Sequence, residues 1–158
     1  MAGMRVFYED WQMECCGRPF AVGDEVAWPL VAAEPGERRE RYYGAEAWVE
    51  NHGDRTRPAT GRVRAIELVR QEYLVHTDQR ARERIDRALD PDAGSEGPVV
   101  LPSPYRWEAV PGAYTLEAAD RCPKWFEFDE PGRDPGPHRM HRTVGALVTL
   151  EPTTGDRP

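Results

Sequence analysis

The sequence predicts an α+β fold that is mainly β: a small antiparallel, barrel-like sheet of five or six strands, SH3-like or OB-like, with one or two short helices. Apolar residues recur at every second position in Gly23–Val31 (Val26, Trp28 and Leu30) and again in Thr143–Glu151 (Val144, Ala146, Val148 and Leu150), which is the period of a half-buried strand. The first segment follows Phe20 and contains a Gly-Asp turn, an order common at the start of small barrels. Only two other segments have the spacing of a helix face.

In the first part of the chain, Met4–Tyr8 is a candidate strand and Trp11–Arg18 a connection to the next one. Gly23–Val31 is the second strand. Proline has no N–H for a strand ladder, so Pro29 predicts a sheet edge or a bulge there. Glu34–Glu40 reads as a charged loop.

A helix is predicted next, because Tyr42, Ala45, Val49 and His52 recur at spacings of three and four. Gly53 is the expected end of this helix, since glycine commonly follows the last turn.

In the second half, Thr60–Val75 predicts a strand whose alternation slips near Arg64, as a β-bulge would cause. Asp78–Leu89 has an apolar helical face and predicts a helix. Proline-rich residues 90–112 predict a long loop, with a short strand at Val99–Leu101 inside it.

Two further strands are expected at Tyr114–Ala118 and Trp125–Phe128, followed by a loop over residues 129–137. A length of 158 residues fits one domain with a real core, so residues 1–151 are predicted to form a single globular domain. Residues 152–158 are expected to be a disordered tail.

The charge balance argues against a general nucleic-acid binder. The net charge is -7 and the isoelectric point is about 5.2, whereas phosphate contacts need a basic face. Arg62, Arg64 and Arg70 could form a local one, but Glu67 interrupts it. A nucleic-acid-associated barrel is therefore the weakest of the functional hypotheses.

Neither a targeting nor a membrane segment is visible in the sequence. Charged residues break up the N-terminus, and the longest apolar run, Ala27–Ala33, is far shorter than the roughly 20 residues of a membrane span. We expect a cytoplasmic protein.

The stretch Asp10–Trp28 reads DWQMECCGRPFAVGDEVAW. It resembles an uncharacterised actinobacterial family of unknown function, whose members begin with a similar DWQxxCCGxPFxVG signature. The resemblance spans Met4–Glu151 and implies no activity, substrate or catalytic residue. Only Lys124 among the 21 basic residues is lysine, a bias typical of GC-rich bacterial codons.

Metal binding is the first chemical hypothesis, because the chain has enough soft ligands for a zinc site. The spacing argues against it: adjacent cysteines are expected to point in different directions, and no Cys-x-x-Cys pair is present. Buried free cysteines and surface histidines are the favoured interpretation, and no cofactor is predicted. The candidate ligands are Cys15, Cys16, Cys122, His52, His76, His138 and His141.

Thiol chemistry is the second hypothesis. A vicinal disulfide of Cys15 and Cys16 is chemically feasible, and Cys16 with His52 and either Asp10 or Glu14 would supply a nucleophile, a base and an orienting group. No nucleophile elbow, phosphate-binding loop or metalloprotease helix supports an enzyme, so no catalytic residue is assigned.

Aromatic residues suggest the third hypothesis, a binding surface. Trp28 and Trp125 are expected in the core, whereas Trp11 and Trp107, beside loops, are better candidates for a surface. The favoured function is a small binding or interaction module for a protein partner or a small ligand. The alternative is a metal- or thiol-dependent protein or enzyme centred on Cys15, Cys16 and His52. The predicted binding residues are Trp11, Cys15, Cys16, His52 and Trp107.

Overall fold

The computed structural model describes residues 3–53, 57–92, 103–132 and 136–153. In this part the protein is mainly β, with 52% strand and three helices, one more than the upper expectation. The helices are α1 (Asp10–Cys16), α2 (Glu37–Glu40) and α3 (Gln79–Ala88). The strands are β1 (Met4–Glu9), β2 (Phe20–Ala21), β3 (Glu25–Trp28), β4 (Leu30–Ala32), β5 (Ala47–Val49), β6 (Ala59–Thr77), β7 (Tyr105–Ala119), β8 (Arg121–Cys122) and β9 (His138–Pro152).

Six strands form a nearly closed, barrel-shaped sheet in the order β3-β6-β9-β1-β5-β4, and β7 pairs with β6 outside this path. The predicted barrel-like sheet is thus confirmed. β1 is antiparallel to β9, with Val6 opposite Val148, but parallel to β5, with Val6 opposite Ala47. The prediction of a wholly antiparallel sheet is therefore wrong for the parallel pair β1 and β5. β2 and β8 form a separate two-stranded sheet.

The predicted strand Gly23–Val31 is divided at Pro29. β3 ends at Trp28 and pairs with β6, whereas β4 begins at Leu30 and pairs with β5. The two short strands consequently stand at opposite ends of the strand order. Because proline cannot donate to a strand ladder, the chain can leave one partner and join the other at this residue.

Several predicted elements are confirmed: β1, β6, β7 and β9 contain four of the expected strands, and α3 lies within the expected second helix, Asp78–Leu89. The Asp78 side chain caps α3 by accepting hydrogen bonds from the N–H groups of Arg80 and Ala81. In β6, Arg64 and Ala65 are both exposed, and they lie between the buried residues Val63 and Ile66. The predicted slip in alternation is therefore present.

The predicted helix from Tyr42 to His52 is wrong. Tyr43 and Gly44 have positive φ angles of 54° and 86°, which no right-handed helix accommodates, and β5 follows them. This strand, which contains Val49, lies between β1 and β4 in the sheet.

The connecting segments also differ from the predictions. The expected connection Trp11–Arg18 contains α1, and the expected loop Glu34–Glu40 contains α2. The predicted loop over residues 90–112 ends early because β7 begins at Tyr105. Trp125–Phe128 forms no strand with the residues that the structure describes, and Phe128 makes an isolated bridge to Arg142. The expected strand Val99–Leu101 and residues 154–158 lie outside the described residues, and β9 continues through Pro152.

The chain divides into two compact units. The first comprises Met1–Gln71, Pro111–Phe128 and Arg142–Pro158, and the second Glu72–Val110 and Asp129–His141. The prediction of a single domain over residues 1–151 stays a prediction. The apolar core of the first unit combines residues from its strands with Met13 of α1. Its largest fully buried apolar side chains include Val6, Tyr8, Met13, Val49, Val63, Ile66, Val148 and Leu150.

Candidate thiol and imidazole site

The candidate site lies where α1 follows β1 and a turn follows β5. Because β1 and β5 are parallel neighbours, with Phe7 opposite Trp48, the segments that follow them leave the same edge of the sheet. One segment carries Trp11, Cys15 and Cys16, and the other carries His52. An antiparallel pairing would have placed His52 at the opposite edge.

The structure brings together four of the five predicted binding residues. The Nε2 atom of His52 lies 2.9 Å from the Cys15 sulfur and 3.4 Å from the Cys16 sulfur. The ring of Trp11 stacks on the His52 ring, with 5.0 Å between centroids and 24° between planes. The fifth residue, Trp107, belongs to the second unit, where it packs edge-on against Tyr73 at 5.5 Å.

The two adjacent cysteines are joined by a disulfide in the structure, and both are exposed, as is His52. The interpretation of Cys15 and Cys16 as small core residues is therefore wrong. In α1 the buried positions are Asp10, Gln12 and Met13, which leaves the helix end facing solvent. The expectation that the two sulfurs point apart is also wrong, because both approach one imidazole nitrogen.

A buried amide fixes the orientation of the His52 ring. Gln12, completely buried, donates through Nε2 to Glu50 at 3.1 Å, and its Oε1 accepts from the Asn51 backbone N–H at 2.9 Å. These two partners leave only one assignment of the amide oxygen and nitrogen. The Nδ1 atom of His52, 3.0 Å from that Oε1, is therefore the donor, and in the neutral ring the Nε2 lone pair faces the sulfurs.

Glu50 holds Gln12 and the His52 backbone in this arrangement. Its carboxylate accepts from Gln12 and, at 2.8 Å, from the backbone N–H of His52. Burial raises the pKa of Glu50, but these hydrogen bonds lower it by more, so its net pKa lies below the ordinary value. Glu50 is thus a fixed anion that holds the amide and the turn, and it is the end of the chain of hydrogen bonds that begins at the sulfurs.

The chain's only lysine anchors the end of α1. The Lys124 ammonium donates to the carbonyl oxygens of Gly17 at 3.2 Å and Met13 at 3.5 Å. A cation there also interacts favourably with the negative end of the helix dipole. Its neighbour Trp125 is 67% exposed, so the prediction that Trp125 is a core residue is wrong, whereas Trp28 is buried as expected.

A cavity of about 420 Å³ adjoins the cluster and is lined by Cys16 and by Asn51, the residue before His52. Its wall includes the buried aromatic rings of Tyr8, Phe20 and Trp28. This volume falls within the range of roughly 300–1,000 Å³ that is typical of small-molecule sites. The cluster therefore lies beside a space that could hold a ligand.

The comparison with protein families decides the classification. The family of unknown function DUF6578 matches residues 2–152. The chain belongs to this family. No curated protein matched the DUF6578 chain. No solved structure matched it either.

The other candidate ligands of this DUF6578 protein do not join the cluster, which among the described residues consists of Cys15, Cys16 and His52. Cys122 is a buried free thiol. His76 lies 3.4 Å from Glu108, and His141 lies beside the carboxylate of Asp129. Both histidines belong to the second unit. Asp10, proposed as an orienting group, pairs instead with Arg142 at 2.7 Å. That orienting role falls to Gln12.

The local basic face is largely neutralised. Arg62 lies 3.7 Å from Glu25, and Arg64 forms an ion pair with Glu151. Among the helices of the described residues, none combines the length and the hydropathy that a membrane crossing requires.

Sequence reasoning missed the residues that organise the cluster: Gln12, Glu50, Asn51 and Lys124. Gln12 stands within the N-terminal signature, and Lys124 is a single lysine among many arginines, so both carried a signal. Glu50 and Asn51 carried none, because their role depends on the turn that follows β5.

Proposed function

We propose that this DUF6578 protein is a thiol-dependent binding module. Cys15 and Cys16 alternate between a disulfide and two thiols, and they react with a thiol-bearing small molecule or protein. The observation that carries the proposal is the placement of both sulfurs at an exposed helix end, 2.9 and 3.4 Å from one nitrogen of His52.

In this reaction His52 transfers the proton. A thiolate of an external dithiol attacks one sulfur of the Cys15–Cys16 disulfide and forms a mixed disulfide, and the other sulfur leaves as a thiolate that takes a proton from the His52 imidazolium. The second thiol of the same dithiol then attacks the mixed disulfide and releases the bound cysteine sulfur. Overall the dithiol is oxidised to a disulfide, and its two electrons and two protons convert the Cys15–Cys16 disulfide into two thiols.

We further propose that the protein is cytoplasmic, where thiol-reducing systems keep cysteines reduced. The pair would then rest as two thiols and close to a disulfide when an oxidant or a disulfide-bearing partner arrives. Trp11, 46% exposed and stacked on His52, supports this surface as the place where such a partner is contacted.

The test uses the full chain in glutathione redox buffers, with rapid alkylation and peptide mass spectrometry. The expected result is a disulfide that forms reversibly between Cys15 and Cys16 while Cys122 stays a thiol. His52→Ala should slow reduction by dithiothreitol about 100-fold, the lower range for a positioned acid or base. The matched control His138→Ala should retain the wild-type rate. Disulfides only between chains, or an unchanged rate in His52→Ala, would refute the proposal.

The cavity favours a second function, a binding module for a small molecule. Trp28 lies in the cavity wall, so titration with small aromatic carboxylates should change tryptophan fluorescence in a saturable way. The change should persist in the Cys15→Ser/Cys16→Ser double variant. A linear response without saturation would exclude this function for the compounds tested.

Three finer assignments also stay proposals. The SH3-like or OB-like type of the barrel is supported by the turn between Phe20 and Trp28. An actinobacterial source is supported by the N-terminal signature and the arginine-rich composition. A role in nucleic-acid binding has the least support, given the ion pairs of Arg62 and Arg64.

A further inference from the structure

We infer that the reduced protein binds one soft divalent metal ion of the zinc class through Cys15, Cys16 and His52. This inference rests on the proposed function, because only the thiol form of the pair can supply thiolate ligands. The metal-bound state and the disulfide state therefore exclude each other.

The ligand atoms already lie close enough for one ion. The two sulfurs and the imidazole nitrogen are all within 4.8 Å of one another. Thiolate and imidazole are the ligands that zinc and similar ions prefer, with bonds of about 2.0–2.3 Å. Reduction breaks the S–S bond, and the two sulfurs must then move apart to admit an ion, which their position at an exposed helix end allows.

The outer contacts of His52 are those of a metal-binding histidine. Such residues almost always donate their second ring N–H to a carboxylate, a backbone carbonyl or water, which fixes the coordinating nitrogen, and a side-chain amide oxygen can accept in the same way. Here Nδ1 donates to the Gln12 amide oxygen, and the amide is held in turn by Glu50. Trp11 restricts the ring from one face. Nε2 is consequently fixed toward the sulfurs before any ion binds.

Charge and proton balance are also satisfied. Each thiol loses one proton on binding, so two thiolates neutralise a dication, and neutral His52 supplies the third bond. In the described part of the chain the cluster has three members, which leaves the fourth position of a tetrahedral ion to water or to an external ligand. Because Cys16 also lines the cavity, such a ligand could extend into that space.

The experiment titrates the reduced full chain with cobalt chloride, follows the thiolate-to-cobalt charge-transfer absorption, and then displaces cobalt with zinc chloride. We expect one ion per chain and two protons released. Cys15→Ser, Cys16→Ser and His52→Ala should each weaken binding at least tenfold. Glu50→Ala, which removes the acceptor that holds Gln12, should weaken it about tenfold, the lower end for such outer contacts. Cys122→Ala and His138→Ala are matched controls and should bind like the wild type.

The outcomes separate this inference from the proposed function. Equal affinity in wild type and His52→Ala, or the absence of the charge-transfer band, overturns the metal site. If the pair nevertheless forms a reversible disulfide, only the metal inference fails. In a third outcome, metal binds with the expected pattern, but diamide neither forms the Cys15–Cys16 disulfide nor releases the ion. The proposed function then fails, and so does the inference that the metal-bound and disulfide states exclude each other.

Discussion

Cys122 and the pair Cys15 and Cys16 lie in the same unit, but their surroundings differ completely. Cys122 faces Phe20 across the β2–β8 sheet and is fully buried, and burial raises its pKa to about 12. Cys15 and Cys16 lie at the exposed end of α1, beside an imidazole nitrogen. The comparison shows that thiol chemistry here is decided by the position of each cysteine, since a buried thiol resists ionisation while an exposed one can react.

The largest expected difference is in alkylation of the reduced protein by iodoacetamide at pH 8. With its pKa at about 12, Cys122 should react at least about 1,000-fold more slowly than an exposed thiol of ordinary pKa near 8.5. Cys15 and Cys16 should react at least as fast as such a thiol. Peptide mass spectrometry gives the three rates, and denatured protein, in which all three cysteines should react alike, is the control. Equal native rates would remove the distinction between the two regions.

The next prediction concerns the residue that packs the end of α1. A Cβ atom on Gly17 would lie 2.5 Å from the Met13 sulfur and 2.6 Å from the Tyr8 hydroxyl, so Gly17→Ala should destabilise the protein by about 1–3 kcal/mol. Gly36→Ala is the matched control: a Cβ there meets nothing within 4 Å, and the effect should stay within about 0.5 kcal/mol. Urea unfolding measures both. Gly17→Ala should also alter the alkylation rate of the adjacent pair, while Cys122 stays protected.

The smallest effect is on stability at alkaline pH. Because folding raises the Cys122 pKa from 9.0 to about 12, the folded state keeps its proton where the unfolded state loses it, so this contribution to stability is complete below pH 9 and declines above it. The free energy of unfolding should fall by roughly 1 kcal/mol between pH 8 and pH 10. Cys122→Ala should show a correspondingly weaker decline in urea titrations. An identical decline in both proteins would show that burial of Cys122 does not cause it.

The sequence predicted those parts of the fold that depend on local pattern. Alternation identified the strands that became β1, β6 and β9, since a half-buried strand needs a period of two. The same reasoning failed for Tyr42–His52, where apolar residues three and four apart mimic a helix. Positive φ angles at Tyr43 and Gly44, which no spacing rule detects, turn the chain into β5 instead.

For the candidate site, the sequence by itself determined which chemical groups are present: two adjacent thiols, a histidine and a nearby tryptophan. Only the tertiary structure decided that they meet. β1 and β5 are parallel, so α1 and the turn carrying His52 leave the sheet at the same edge, and Gln12 can orient the ring. Strand direction is set by long-range pairing, which leaves no mark on the local pattern of either strand.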